Sequence, residues 1–146
     1  MTNNDPYDLN RFISAQETIY KSVLEELRRG QKRSHWMWFI FPQIDGLGHS
    51  ETSRYYSIKN EHEARAYLAH PVLGPRLLQC AESVLALNGK TASEIFGFPD
   101  DMKFKSSMTL FVRVSEPQNV FVRVLDKYFD GKLDTKTIDL IGLSTQ

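Results

Sequence analysis

Helix start and stop signals recur along this chain at short intervals, and they constrain its fold more than any other feature. Leu9, Phe12, Ile13, Ile19, Tyr20, Val23, Leu24 and Leu27 recur at helical spacing, which predicts one amphipathic helix over 8–29. Asp5-Pro6 and Asp8 are its start signals, Gly30 its left-handed stop, and Glu17–Lys21 a favourable i,i+4 pair. Further along, Ser50 can cap a short helix through Tyr56. Asn60 and Glu63 resemble a capping box, and Thr91 and Glu94 form a second one. A helix over 73–87 stops at Asn88-Gly89. Pro99-Asp100-Asp101 opens a helix carrying Phe104, Met108, Phe111 and Val112, and Ser115-Glu116-Pro117 opens one carrying Val120, Phe121, Val124, Leu125 and Tyr128. Asp134 can cap a last helix containing Ile138 and Ile141.

No internal repeat, low-complexity tract or linker interrupts this series. The expectation is an all-α fold: an irregular compact bundle of about six to eight helices around an aromatic central segment, formed by residues 1–146 as one globular domain. A chain of this length buries roughly 68–70% of its unfolded surface and needs no disulfide or metal. Cys80 is the lone cysteine, set in an amphipathic helix as an inert, partly buried thiol. No His-Glu-x-x-His or Cys-x-x-Cys is present, so neither a metal nor another cofactor is expected.

The central segment, His35-Trp36-Met37-Trp38-Phe39-Ile40-Phe41-Pro42-Gln43, follows neither a two-residue nor a 3.6-residue period. It is expected to be buried on most sides, with Pro42 pushing Phe41 to extended geometry. Its two Trp and two Phe would cover about 600–1,000 Å². That makes it core first, although the edge of a core often floors a pocket.

With 18 basic and 18 acidic residues the formal charge is zero. Bulk charge therefore disfavours a nucleic-acid partner, and a Lys32-Arg33 patch is the local exception. The first residues lack the basic start and apolar run of a signal peptide, and Trp36 to Phe41 is far short of the roughly 18 apolar residues that span a bilayer. The expected location is the cytoplasm, with no membrane partner.

Three groups of residues carry chemistry that could form a site. His35, beside bulky aromatics, is expected to be shielded from water and available as a general base or hydrogen-bond donor. Gly46-Leu47-Gly48-His49-Ser50 precedes a helix start, where backbone N–H groups can face an anion and Ser50, Ser53 and Arg54 could complete a phosphate cradle, although a plain turn explains the glycines as well. Lys103, Lys105, Ser106, Ser107 and Thr109 fall within two helical turns and could hold phosphate or carboxylate; hydroxyls bonded to helix carbonyls are the bland alternative.

Several of these segments together resemble a bacterial family of uncharacterised proteins catalogued as domain of unknown function 1810. The resemblance rests on the His35–Gln43 block, Gly46, Gly48, Ser50, Ser53 and Tyr56–Ile58. Asp8, Leu9, Phe12 and Gln16, the Ala66–Gly74 stretch, Lys103–Phe111, and Gly131, Asp134 and Thr137 extend it over nearly the whole chain. It implies a compact, mainly helical, monomer-sized fold and no assigned activity. A fainter likeness links Ala69–Leu78 to the NADAR group, which processes ADP-ribose derivatives; that group's acidic catalytic segment has no counterpart here.

The sequence therefore suggests a pocket for a phosphorylated or nucleotide-like small molecule, without fixing whether it is catalytic. His35, Trp38 and Gln43 are the expected walls, and Gly46, Gly48, Ser50, Lys105 and Ser106 the anion contacts. The alternative is a non-catalytic protein-interaction module using the first helix or the Glu61–His70 helix.

Overall fold

The computed structural model describes residues 5–144. Ten α-helices run through them: α1 (Asn10–Gln16), α2 (Tyr20–Arg29), α3 (Met37–Ile40), α4 (Glu51–Tyr55), α5 (Glu61–Ala69), α6 (Leu73–Leu85), α7 (Ala92–Phe96), α8 (Asp100–Val112), α9 (Val120–Phe129) and α10 (Thr135–Ser144). Among the described residues there is no strand. One isolated parallel bridge, Ile44 to Ile58, ties the loop after α3 to the segment after α4.

The all-α expectation holds, with more helices than expected for two reasons. The aromatic block contains a turn of helix, α3. The first predicted helix is two helices, because the chain breaks over 17–19. Buried Gln16 marks the break: its Nε2 donates to the Phe39 carbonyl (2.7 Å) and the Tyr67 hydroxyl (3.2 Å). Past the break α2 turns Val23, Leu24 and Leu27 into the core and packs on α6. The expected Glu17–Lys21 pair is replaced by a Glu17–Arg76 contact at 3.5 Å.

Most start and stop signals act as the sequence implies. Ser50 and Asn60 each accept the backbone N–H three residues on, and Thr91 with Glu94 closes a full capping box. Gly30 stops α2 in the left-handed conformation (φ 74°). Asp5 opens α1, its carboxylate accepting Leu9 N and Asn10 N at 2.7 and 2.9 Å. One start differs. Helix α9 begins at Asn119 rather than near Pro117, because Asn119 Oδ1 accepts Val122 N and Gln118 takes a positive φ of 64° that interrupts a helix.

Helix α8 lies at the centre, packed against α3, α5, α7, α9 and α10. The aromatic block joins it there: Phe41 meets Phe104 edge-on at 4.8 Å, and Phe96 stacks on Phe104 at 4.5 Å. A second aromatic run passes from Tyr56 through Phe12 and Tyr67 to Phe111 and Phe121. Trp36, Met37, Ile40 and Phe41 are buried, while Trp38 and Phe39 are half-buried. Gly74 lets α5 and α6 meet: a Cβ there would stand 2.1 Å from the Leu68 carbonyl oxygen. Cys80 is wholly buried, not partly, and desolvation pushes its thiol up to about 12.

Glu26 anchors the aromatic block to α2. Its carboxylate accepts Arg33 N (2.6 Å), Ser34 N (3.1 Å), Ser34 Oγ (2.5 Å) and Trp36 Nε1 (2.9 Å). Burial works to raise this carboxyl, but those hydrogen bonds outweigh it and leave Glu26 below the usual range.

Candidate functional site

The structure brings three of the expected site residues together. Trp38, Gln43 and Gly48 line a cavity with Ile44, Ser53, Tyr56 and Ser57, but its volume is about 10 Å³. That is the lower bound for a single water and cannot admit a nucleotide. Gly48 borders it because a Cβ would meet the Ser53 side chain at 2.6 Å, and Gly46 turns the chain at φ 106° opposite Leu140. Ser50 is committed to its helix, accepting Ser53 N (3.1 Å) and donating to Ser53 Oγ (2.9 Å). Trp38 Nε1 is buried with no hydrogen-bond partner among the described residues.

His35, Lys105 and Ser106 do not line this cavity. His35 is exposed rather than shielded, since its neighbour Trp36 takes the inward position. Lys105 places its ammonium 5.9 Å from the Phe129 ring centre, and Lys103 pairs with Asp100 at 3.6 Å while lying 5.2 Å from the Trp38 ring. Ser106 Oγ lies 2.8 Å from Asp134 Oδ2 and 3.1 Å from Met102 O, with its one proton to share between them. Thr109 Oγ1 donates to Lys105 O and accepts Asp134 N. These hydroxyls fasten the start of α10 to α8, which is the bland reading of that cluster. Ser107 Oγ is buried without a partner among the described residues. Lys32 is likewise occupied, paired with Asp100 at 2.8 Å beneath the surface, which removes half of the Lys32-Arg33 patch.

A larger concavity opens on the other side of α4. It measures about 430 Å³ and is lined by Tyr7, Asp8, Arg11, Arg54, Tyr55, Lys59 and Glu63, with Pro6 at its edge. Its floor is an ion pair the sequence reading missed: Arg11 Nη2 lies 2.7 Å from Glu63 Oε2, both side chains nearly inaccessible. Arg11 also donates through Nε to Tyr55 O (2.8 Å), through Nη1 to Tyr7 O (2.6 Å) and Asp8 O (2.8 Å), and through Nη2 to Ser57 O (2.9 Å). Those five bonds equal the donor capacity of a guanidinium. The other Glu63 oxygen accepts Lys59 N at 3.0 Å. The pair therefore stitches the chain before α1 to the ends of α4 and the start of α5.

The rim is different. Arg54 is exposed, and its guanidinium has no ion-pair or hydrogen-bond partner among the described residues. Lys59 Nζ donates to Ser57 Oγ (2.8 Å) and Arg54 O (3.2 Å) and stands 3.5 Å from Asp45. Tyr55 is 55% exposed, its ring packed edge-on against Tyr56. Two cations and two phenols thus surround a concavity of small-molecule size.

Two other concavities are relevant. One of about 630 Å³ shares Pro6 and Tyr7 with the first and is lined also by Asp5, Leu9, Asn10, Ile13, Ala66 and His70. His70, on the stretch that resembles the NADAR group, is a helix cap in this fold: its Nδ1 accepts Val72 N (3.0 Å) and Leu73 N (3.3 Å) at the start of α6. A shallower apolar groove of about 400 Å³ lies between Leu68, Leu78, Val114 and Phe121.

An all-helical frame of this kind, with its aromatic centre and its capped short helices, is a known type. Residues 6–141 match the family model described as "Protein of unknown function (DUF1810)", and the chain belongs to that family. The fold is also similar to the crystal structure of the conserved hypothetical protein Rv1873 from Mycobacterium tuberculosis. Identity is 51%, the TM-score is 0.93, and 94% of this chain and 99% of that one are covered. Comparison with curated proteins gives no match. No helix among the described residues is long and apolar enough to cross a membrane.

Proposed function

We propose that this protein binds a phosphorylated, nucleotide-like small molecule, with the anionic group held by Arg54 and Lys59 in the concavity between the α1 entry and α4. This keeps the class of ligand expected from the sequence and moves its anion contacts away from Gly46, Gly48, Ser50, Lys105 and Ser106. The supporting observation is Arg54: a guanidinium on a concave surface, unpartnered among the described residues, beside a second cation and two tyrosines. Arginine presents a planar fork that fits phosphate oxygens two at a time. The saturated Arg11–Glu63 floor gives that fork a stiff base without competing for the ligand.

Thermal unfolding with ribose 5-phosphate tests the reading. At 100 times the dissociation constant the ligand adds about 2.7 kcal/mol, a rise of roughly 5–10 °C for a domain of this size. The rise should be much smaller in Arg54→Ala. An equal rise in wild type and Arg54→Ala, or none in either, would sink the proposal.

A further inference from the structure

The second concavity suggests what else the ligand carries, and this step rests on the Arg54 reading above. The two hollows share Pro6 and Tyr7 among their lining residues, so a molecule seated against Arg54 has the second one as its neighbour. The chemistry changes there. Leu9, Ile13 and Ala66 supply an apolar surface, the Asp5 carboxylate is engaged by Leu9 N and Asn10 N, and His70 and Asn10 supply further polar groups.

The sense of each follows from its bonds. Nδ1 of His70 accepts two backbone N–H groups, which leaves Nε2 as the ring's donor. That N–H is a donor of fixed direction with no partner among the described residues. Asn10 Nδ2 donates to Ser14 Oγ at 3.3 Å, and its amide oxygen accepts nothing among the described residues. One donor and one acceptor beside an apolar surface complement the edge of a flat heterocycle that itself offers an acceptor and a donor.

We propose that the hollow beyond Tyr7 takes the base of a nucleotide whose phosphate lies at Arg54. Tyr7 stands between the two halves, and its ring borders the connecting sugar. His70 thereby has two duties: its Nδ1 caps α6 and its Nε2 reads the base.

Calorimetric titration with ribose 5-phosphate, adenosine 5′-monophosphate and adenosine, at one ionic strength, tests this. The nucleotide should bind about tenfold or more tighter than the sugar phosphate, as expected for an added heterocycle with two hydrogen bonds. His70→Asn keeps a side-chain oxygen that can cap α6 and removes the Nε2 donor. It should bring the nucleotide toward the sugar phosphate's affinity and leave the sugar phosphate unchanged. Equal affinities for the two in wild type would overturn the base site while leaving the Arg54 site standing. Failure of both phosphates to bind would overturn the Arg54 reading, and this inference with it. Should His70→Asn fail to fold, side-chain NMR of the wild type decides. Ile13 and His70 signals must move with the nucleotide and not with ribose 5-phosphate, and changes confined to the Arg54–Lys59 side would overturn the proposal.

Discussion

Arg11 and Arg54 line the same concavity, one at its floor and one at its rim, and they differ in how far the protein has used their donors. Arg11 spends its N–H groups on four backbone carbonyls and the Glu63 carboxylate. Arg54 spends none of its side-chain donors among the described residues. Position and residue type are alike, so neither identifies a binding group; the state of saturation does. A guanidinium already matched by buried acceptors can contribute only to the fold. One left open on a concave surface still has its full interaction energy to offer a ligand.

The strongest way to break this contrast is to remove Arg11. Arg11→Ala leaves Glu63 buried and unpaired, together with the carbonyls of Tyr7, Asp8, Tyr55 and Ser57. Breaking one side of a buried pair costs about 3–5 kcal/mol, and urea denaturation should show a loss of that order. Replacing both partners, Arg11→Met with Glu63→Leu, should cost clearly less, because no charge is then stranded. If Arg11→Ala unfolds at the wild-type midpoint, Arg11 is not the staple its bonds imply.

Glu26 tests the same principle on an acceptor. Its carboxylate is engaged by four donors from the segment leading into the aromatic block. Glu26→Gln keeps the shape but loses the charge, at a cost of about 1 kcal/mol for a partly exposed group. The pH dependence has a definite sign. The folded carboxyl lies below its unfolded value, so its contribution is complete above the ordinary carboxylate range and is lost as pH falls through the folded value. The gap between wild type and Glu26→Gln should therefore be full at pH 7 and shrink in acid. A gap that widens on acidification would contradict the assignment.

Lys59 lies between the extremes, half-exposed and shared among Ser57, Arg54 O and Asp45. Lys59→Ala should cost roughly 0.5 kcal/mol of stability, as for other exposed pairs. Ribose 5-phosphate binding, read by calorimetry, should weaken less than in Arg54→Ala. A larger loss of binding than in Arg54→Ala would place the anion on Lys59 instead.

What the sequence made legible follows the same divide. Caps and stops are local chemistry, so Ser50, Asn60, Thr91 with Glu94 and Gly30 could be read from spacing alone. The break over 17–19 could not, because the apolar period continues through it; what bends the chain there is Gln16 reaching Phe39 O and Tyr67, contacts made across 23 and 51 residues. Glu63 looked like the second half of a capping box and in fact serves Lys59 N and Arg11. Arg11 lies between the apolar positions Leu9 and Phe12 and carries no local signal of its partners, four of which lie in other segments or loops. The candidate site was hidden for a related reason. Tyr7, Arg54, Tyr55 and Lys59 come from separate segments and share no motif, whereas the glycines and hydroxyls that resembled a phosphate cradle are used by turns and caps. The one local hint was Arg54 itself, which the sequence offered as the last member of that cradle.

Arg54 itself gives the smallest stability effect and the sharpest test. With no partner to strand, Arg54→Ala should leave the urea midpoint within about 0.5 kcal/mol of wild type, as for exposed substitutions away from such networks. Anion binding should respond to geometry as well as charge. Arg54→Lys keeps the positive charge but replaces a two-pronged donor with a single ammonium, so ribose 5-phosphate should bind more weakly than to wild type and more tightly than to Arg54→Ala. All three affinities should fall as salt rises, least steeply for Arg54→Ala, because the contact removed there is the exposed electrostatic one. Two outcomes would erase the difference between floor and rim. A loss of more than about 1 kcal/mol in Arg54→Ala would mark Arg54 as structural, like Arg11. Equal affinities for Arg54→Lys and Arg54→Ala at low salt would show that the charge at position 54 does not meet the anion.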